Sequence, residues 1–261
     1  MKQTAIATIA IGDPYQSYWV KYCMADWCDY ANRINAELLV FHELLDDSPR
    51  ALARSVAWQK CLLLGSASCR PFRQIAILDS DIAINSQRAP NIFDQVSPDY
   101  VGGVINGSQL HADHRSLLLG DGPYDRGLTR WKADQDRQYQ EMGLAPRPEG
   151  IVQTGVLVAN PEKHAESFHR VYTSDYAETR CYEQLPLSHA LLSAGLFRQI
   201  DTRFNCVFQE AAGIHYPYVL YDKFEEQECL TKWAVRTLFT RNFFLHFASA
   251  TPFMRFLREE E

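Results

Sequence analysis

The residues best placed to do chemistry are two carboxylates one residue apart, in Ile77-Leu78-Asp79-Ser80-Asp81-Ile82. In an extended chain side chains alternate, so Asp79 and Asp81 point the same way and Ser80 the other. The apolar run before them, Gln74 to Leu78, reads as a strand that stops at the acidic pair. Open α/β sheets bind their ligands at that carboxyl rim. Two carboxylates on one side there form a seat for Mg²⁺ or Mn²⁺, whose other positions go to water and substrate phosphates. The spacing alone is a weak signal. A second Asp-x-Asp, Asp134-Gln135-Asp136, has polar surroundings and no strand before it, and reads as a solvated loop.

Positioning such a pair calls for alternating strands and helices, and the sequence alternates. Thr4 to Ile11 is strand-like and stops at the turn Gly12-Asp13-Pro14. Tyr15 to Asn35 repeats apolar and aromatic residues near helical spacing, and Glu37 to His42 reads as a second strand. Pro49 opens a helical stretch whose apolar side carries Leu52, Val56, Cys61 and Leu63. Asp99 to Ile105 and Ile151 to Ala159 are further strands. Pro161 to Asp175 and Cys181 to Ala194 read as helices, with Pro186 fitting only near a helix start. Phe197 to Asp201 and Phe243 to Phe247 read as short strands. The class expected is α/β.

Residues 106–150 are polar and lack periodicity, which inside a compact domain marks a functional excursion or lid. No repeat or linker divides the chain. Residues 1–261 therefore read as one domain, with halves over 1–105 and 151–261 on either side of the excursion.

Composition sets outer limits. Of 261 residues, 46% are apolar and 22% charged, which rules out disorder and fibrous repeats. No apolar run approaches the roughly 20 residues of a membrane span. A net charge of −6 argues against a nucleic-acid partner held by bulk charge. It leaves open a small anionic substrate whose phosphates a bound cation neutralises. The 7 cysteines are scattered, with no Cys-x-x-Cys pair, and read as reduced core residues of an intracellular protein. The run TAIATIAIG after Lys2 is short and passes straight into GDPY, so it reads as a first strand rather than a signal peptide. A cytoplasmic protein, or one peripheral to a membrane, is expected.

Further segments arrive in an ordered series. Beside GDPY (12–15) and ILDSDI (77–82), the chain carries RSVAWQK (54–60), QTGVLVANP (153–161), YEQLPLS (182–188), RFN (203–205) and LHFAS (245–249). Together these resemble the nucleotide-sugar glycosyltransferases of the GT-A fold, particularly the glycogenin-like and galactosyltransferase group of family 8 and its relatives. The likeness spans most of the chain. It implies a GT-A-like single domain whose Rossmann-like, mixed, mainly parallel central sheet is flanked by helices. It also implies a metal-dependent enzyme that moves a sugar from a nucleoside-diphosphate donor, UDP-sugar first, to a hydroxyl of a glycan, lipid or protein.

Carried over residue by residue, the resemblance makes Asp79 and Asp81 ligands of Mn²⁺ (or Mg²⁺) and His246 the third protein ligand. Imidazole beside carboxylates suits Mn²⁺ better than Mg²⁺. Taken alone, a histidine in FFLHFA reads as a core residue. Asp13 and Tyr15 are implied at the nucleobase, Arg54 and Lys60 at the ribose or phosphates, and Ser80 within the acidic motif. Trp58, between the two cations, reads as core packing. Gln153, Thr154 and Gly155 are implied at the donor sugar, where the family often carries Asn-Thr in place of Gln153-Thr154. Glu183 and Gln184 match the acidic–Gln pair against the reacting sugar, where such groups stabilise positive charge developing at the anomeric carbon. Taken alone, Glu183 equally reads as a surface helix start that favours Glu for dipole reasons.

One departure is plain. After its histidine the family commonly continues with glycine and then lysine-proline, the lysine on the diphosphate. This chain reads HFASATPF. Arg241, Arg255 or Lys60 stand as alternatives for the missing charge, or the metal carries more of the phosphate binding. His111, His114, Tyr124 and Trp131 in the excursion are candidates for acceptor contacts or for lid packing. Two other readings stand beside the transferase. One is a DxD-type phosphohydrolase with Asp79 as nucleophile, although that motif usually lies on the first strand. The other is a non-catalytic sugar-nucleotide-binding protein of the same fold. The aromatic-rich end NFFLHFASATPFMRFLREEE offers a peripheral membrane contact for a lipid-linked acceptor.

Overall fold

From Gln74 onward the strand ahead of the acidic pair is buried on both faces. In the computed structural model, which describes residues 2–13, 15–106, 135–220 and 228–258, this strand is β3, Phe72–Leu78. Ile75 and Ile77 join one core with Ala5 and Ala7, and Ala76 and Leu78 join the other with Ile6. A strand covered on both sides reads as a continuous apolar run, as this one does.

The other strands are β1 (Lys2–Ile9), β2 (Glu37–Phe41), β4 (Ile82–Ile84), β5 (Val101–Ile105), β6 (Val152–Ala159), β7 (Phe197–Gln199), β8 (Cys206–Val207) and β9 (Phe244–His246). Six of them form a sheet in the order β2-β1-β3-β6-β5-β7. β1 is parallel to β2 and β3, β5 is parallel to β7, and β6 runs antiparallel to both β3 and β5. The sheet is therefore mixed and mainly parallel, flanked by helices, as expected. A second sheet, β4-β9-β8, pairs β4 antiparallel to β9 and β9 parallel to β8.

One face of the large sheet is covered by the 3₁₀ segment Val56–Gly65 and the helices Pro161–Thr173 and Gln184–Ser193, through Trp58, Leu63, Phe168 and Leu191. The other is covered by the helix Met24–Arg33 and the small sheet, through Trp27, Tyr30, Ile82 and Phe244. Trp58 is core, as its sequence context suggests.

Several elements depart from the expected ones. The helix expected over Tyr15 to Asn35 is two α segments, Tyr15–Tyr18 and Met24–Arg33, joined by π-type turns over Trp19–Cys23. The stretch from Pro49 is not one helix. Ser48 caps a short α turn, Pro49–Leu52, and Ser55, extended at ψ 144°, caps the following segment by accepting from the Ala57 N–H. Two capping serines seven residues apart restart the helix rather than continue it. Within the polar excursion, residues 135–141 are helical and carry the buried Gln135 and Tyr139. His111, His114, Tyr124, Trp131 and Asp134 lie outside the described residues.

The aromatic C-terminal run packs inward, with Phe244, Phe247, Met254 and Phe256 all buried. It is core, which removes the sequence argument for a membrane-facing surface there. No helix among the described residues is long and apolar enough to cross a membrane. All seven cysteines are free, four of them buried.

The Tyr30 hydroxyl donates to the Pro90 carbonyl at 2.7 Å and accepts from the Ile92 N–H at 3.0 Å, tying the helix Met24–Arg33 to the chain after β4. Tyr30→Phe leaves both backbone groups without that partner. Urea unfolding should show a loss of about 1–3 kcal/mol at an unchanged m-value.

Candidate functional site

β3 ends at Leu78, and the chain then turns through Asp79-Ser80-Asp81, with the Ile82 N–H donating to the Asp79 carbonyl at 3.3 Å. The carboxylates therefore converge through a turn, not through alternation along an extended strand. Three backbone ties set that turn. The Asp79 N–H donates to the Gly155 carbonyl on β6 at 2.9 Å. The Phe247 N–H donates to the Asp81 carbonyl at 3.0 Å, and the Trp27 indole N–H donates to the Ile82 carbonyl at 2.8 Å. In the β4–β9 register His246 stands opposite Ile82, which brings its ring to the acidic pair. One ligand atom from each of Asp79, Asp81 and His246 lies within 4.8 Å of the others. His246 Nε2 is 3.3 Å from Asp81 Oδ1 and 3.7 Å from Asp79 Oδ2.

The tautomer of His246 follows from its other neighbour. The Asn205 amide nitrogen donates to the Gln153 carbonyl at 3.3 Å, which turns Asn205 Oδ1 toward His246 Nδ1 at 3.0 Å. That oxygen only accepts, so Nδ1 carries the ring proton. Nε2 is then the nitrogen that faces the two carboxylates. Asp81 Oδ1 is itself buried without a hydrogen bond. Burial alone would lower the His246 pKa, but Asp81 and then Asp79 outweigh it and hold the ring above its ordinary value. The arrangement favours a positive charge among the three side chains, and two carboxylates with one imidazole suit a divalent metal.

Gly155 makes room for the ring. A Cβ at that position would stand 2.2 Å from His246 Cε1. Asn205 is a positioning residue that sequence reasoning did not single out. Its signal lay in the RFN segment, but its role follows only from the contact it makes.

Lys60 is buried among the acidic groups. Its Nζ lies 2.7 Å from Asp79 Oδ1 and 2.9 Å from Glu183 Oε1, and donates to the Thr154 carbonyl at 3.1 Å. An ammonium has three donors, and these three partners use them. Burial alone would lower its pKa, but Asp79 and Glu183 more than reverse that. Burial pushes the Glu183 carboxyl up; Lys60 offsets part of this and Asp79 adds to it. Glu183 also accepts from the Thr154 hydroxyl at 2.9 Å and is 2% exposed, so it is not a surface helix start. Gln184 donates to Asn106 Oδ1 at 3.4 Å and to the Val152 carbonyl at 3.3 Å.

These groups line an open cavity of about 430 Å³, within the range of small-molecule sites. Asp79, Ser80, Asp81 and His246 form part of its wall, with Lys60, Gln153, Thr154, Glu183 and Gln184 around them. Tyr15 lines it too, half exposed. Partial burial, then the charges of Asp81, Tyr182 and Asp79, raise its phenol pKa. Tyr182 and Ser249, both in the wall, have left-handed backbones at φ 48° and 55°. Such strain in non-glycine residues gathers at functional sites.

Three expected donor contacts lie elsewhere, one of them Gly155, which stands against the His246 ring rather than in the cavity wall. Asp13 is exposed, accepts from the Ser17 hydroxyl at 2.9 Å and does not line the cavity. Arg54 donates to the carbonyls of Tyr172, Ser174 and Tyr176 and stacks on Trp58 at 4.5 Å. After His246 the wall is completed by Ala248, Ser249 and Thr251, and neither Arg241 nor Arg255 reaches it. Arg180 does, a lining residue the sequence did not point to.

Removing Lys60 strands two carboxylates. Lys60→Met should lower the unfolding free energy by about 3–5 kcal/mol, the scale of a broken buried pair. In the double variant Lys60→Met with Glu183→Gln, denaturant unfolding should recover part of that loss.

No protein-family model matches the chain, and no curated protein matches it in sequence. Solved structures do resemble it. A glycosyltransferase involved in the glycosylation of the major capsid of PBCV-1 matches with a TM-score of 0.54, over 96% of this chain and 98% of that one, at 12% identity. The glycosyltransferase GlyE of Streptococcus pneumoniae TIGR4 matches with a TM-score of 0.50, over 99% of this chain and 62% of that one, at 10% identity. The chain thus shares a fold with glycosyltransferases.

Proposed function

We propose that this protein is a metal-dependent glycosyltransferase of the family 8 type, moving a sugar from a nucleoside-diphosphate donor, UDP-sugar first, to a hydroxyl acceptor on a glycan, lipid or protein. The observation that carries the reading is the convergence of Asp79, Asp81 and His246 in the wall of a cavity, in a fold shared with glycosyltransferases. These three side chains would hold the cation, Mn²⁺ in preference to Mg²⁺ because one ligand is an imidazole. When bound, a divalent cation supplies Lewis acidity toward the leaving diphosphate.

The remaining roles belong to the chain. Residues 1–261 act as one domain, in which 1–105 brings the acidic pair and Lys60 while 151–261 brings Thr154, Glu183 and His246. Lys60 holds Asp79 and Glu183 at fixed positions and balances their charge. Glu183 places negative charge near the anomeric carbon as the glycosidic C–O bond breaks, and the Gln184 amide is aligned through its bonds to Asn106 and Val152. Tyr15 offers an aromatic face for the nucleobase, and Gln153 and Thr154 line the donor-sugar side. Seven free cysteines support a reducing compartment such as the cytoplasm.

A thermal-shift screen with UDP-, GDP-, CMP- and dTDP-sugars, each with Mn²⁺, Mg²⁺ or EDTA, tests this reading, because a ligand selective for the native state raises Tm. One nucleotide sugar should stabilise the protein with Mn²⁺ and not with EDTA. Asp81→Asn should abolish that shift and reduce transfer by about 100-fold or more while the fold persists. No shift with any donor would overturn the reading and favour the phosphohydrolase. Donor binding without transfer to any acceptor in a broad panel would favour the non-catalytic alternative.

A further inference from the structure

Electrostatics of the cavity leave the charge of an entering diphosphate unanswered. Asp79, Asp81 and Glu183 bring three carboxylates to its wall. Lys60 returns one positive charge, with all three of its donors engaged by Asp79, Glu183 and the Thr154 carbonyl. A divalent cation on the Asp79–Asp81–His246 set would answer the other two. A nucleoside diphosphate entering this site adds its own negative charge, and the segment after His246 meets it with Ala248, Ser249 and Thr251. Among the described residues, Lys60 and Arg180 are the only lysine or arginine in the cavity wall. Arg180 is exposed and has no hydrogen bond or ion pair among the described residues.

The chain around Arg180 is pinned, although its side chain bonds to none of the described residues. Arg54 grips the carbonyls of Tyr172, Ser174 and Tyr176. Glu178 accepts from the Trp58 indole at 2.7 Å and from the Ser55 N–H at 3.2 Å. The Tyr182 N–H donates to the Thr179 carbonyl, the Cys181 N–H to the Thr179 hydroxyl, and Tyr182 takes the left-handed backbone that leads into Glu183. Arg180 is thus a long cation on a fixed base two residues after Glu178 and three before Glu183. Holding the base lowers the ordering entropy that an otherwise loose arginine loses on binding.

We infer that Arg180 binds the diphosphate of the donor, supplying from the chain before Glu183 the positive charge that the segment after His246 lacks. Its planar fork can donate two parallel hydrogen bonds to phosphate oxygens. The same contact holds the negative charge that grows on the diphosphate as the sugar departs. On this account Arg54 acts indirectly, by anchoring the segment that carries Arg180. The inference rests on the glycosyltransferase reading.

Isothermal titration of UDP and GDP, and of uridine and guanosine as phosphate-free controls, separates the two. Each is titrated in Mn²⁺ into wild type, Arg180→Ala, Arg180→Lys and Arg180→Glu. Because Arg180 is exposed and makes no bonds among the described residues, all variants should keep the wild-type Tm without nucleotide. Arg180→Ala should weaken the bound nucleoside diphosphate about ten-fold or more, as for a lost charged hydrogen bond. Arg180→Lys should restore part of that loss, and Arg180→Glu should weaken binding beyond Arg180→Ala. Any nucleoside binding should be unchanged across the series. Wild-type binding matched within about two-fold by Arg180→Ala would overturn this inference and leave the transferase reading standing. No diphosphate binding by wild type would overturn both.

Discussion

Two carboxylates and an imidazole nitrogen meet at one point, and the surrounding structure serves to keep them there. Two like charges 4 Å apart repel by about 4 kcal/mol at an effective dielectric near 20, so the turn at Asp79-Ser80-Asp81 would open unless held. Hydrogen bonds to its backbone hold it from three sides, from the Gly155 carbonyl, the Phe247 N–H and the Trp27 indole. Lys60 compensates Asp79 from within the fold. Asn205 engages Nδ1 of His246, so that Nε2 is the nitrogen left to face the acidic groups and a cation between them. Gly155 has no side chain because a single carbon there would overlap the ring.

The topology explains why these particular elements are recruited. β6 runs antiparallel between β3 and β5, so its Gln153-Thr154-Gly155 start lies beside the end of β3 where Asp79 sits. The small sheet then returns β9 alongside β4, immediately after the acidic turn. Chain segments as distant in sequence as Asp79 and Phe247 thereby share one hydrogen-bonded corner. Strain collects at the same corner, in the left-handed backbones of Tyr182 and Ser249. Each such residue costs of order 1–3 kcal/mol and persists only where its neighbours over-determine it.

Much of this was legible in the sequence, and the gaps have physical causes. The central strands were readable because β3 and β6 are covered on both faces and so carry unbroken apolar runs. The acidic pair stood out because it terminates such a run. The helix from Pro49 was misjudged because apolar spacing there is compatible with 3₁₀ as well as α turns, and the decisive feature is the Ser55 cap. Lys60 looked like a phosphate ligand beside Arg54; burial among three acceptors is a property of tertiary packing that no local pattern encodes. Arg54 and Arg180 are alike as letters. Only contacts separate the one that staples three carbonyls from the one that faces the cavity. Asn205 was hidden for the same reason, its single bond to His246 spanning 41 positions.

The central claim is that Asp79, Asp81 and His246 form one seat for a divalent cation. Titration of the protein with Mn²⁺, followed by the loss of the free-ion electron paramagnetic resonance signal, tests it without any assumption about donor or acceptor. The account predicts one bound ion per chain, with affinity falling about 10–100-fold in His246→Ala, through loss of a ligand, and in Gly155→Ala, through displacement of the ring. No bound ion in the wild-type protein, or equal affinity in all three proteins, would contradict it.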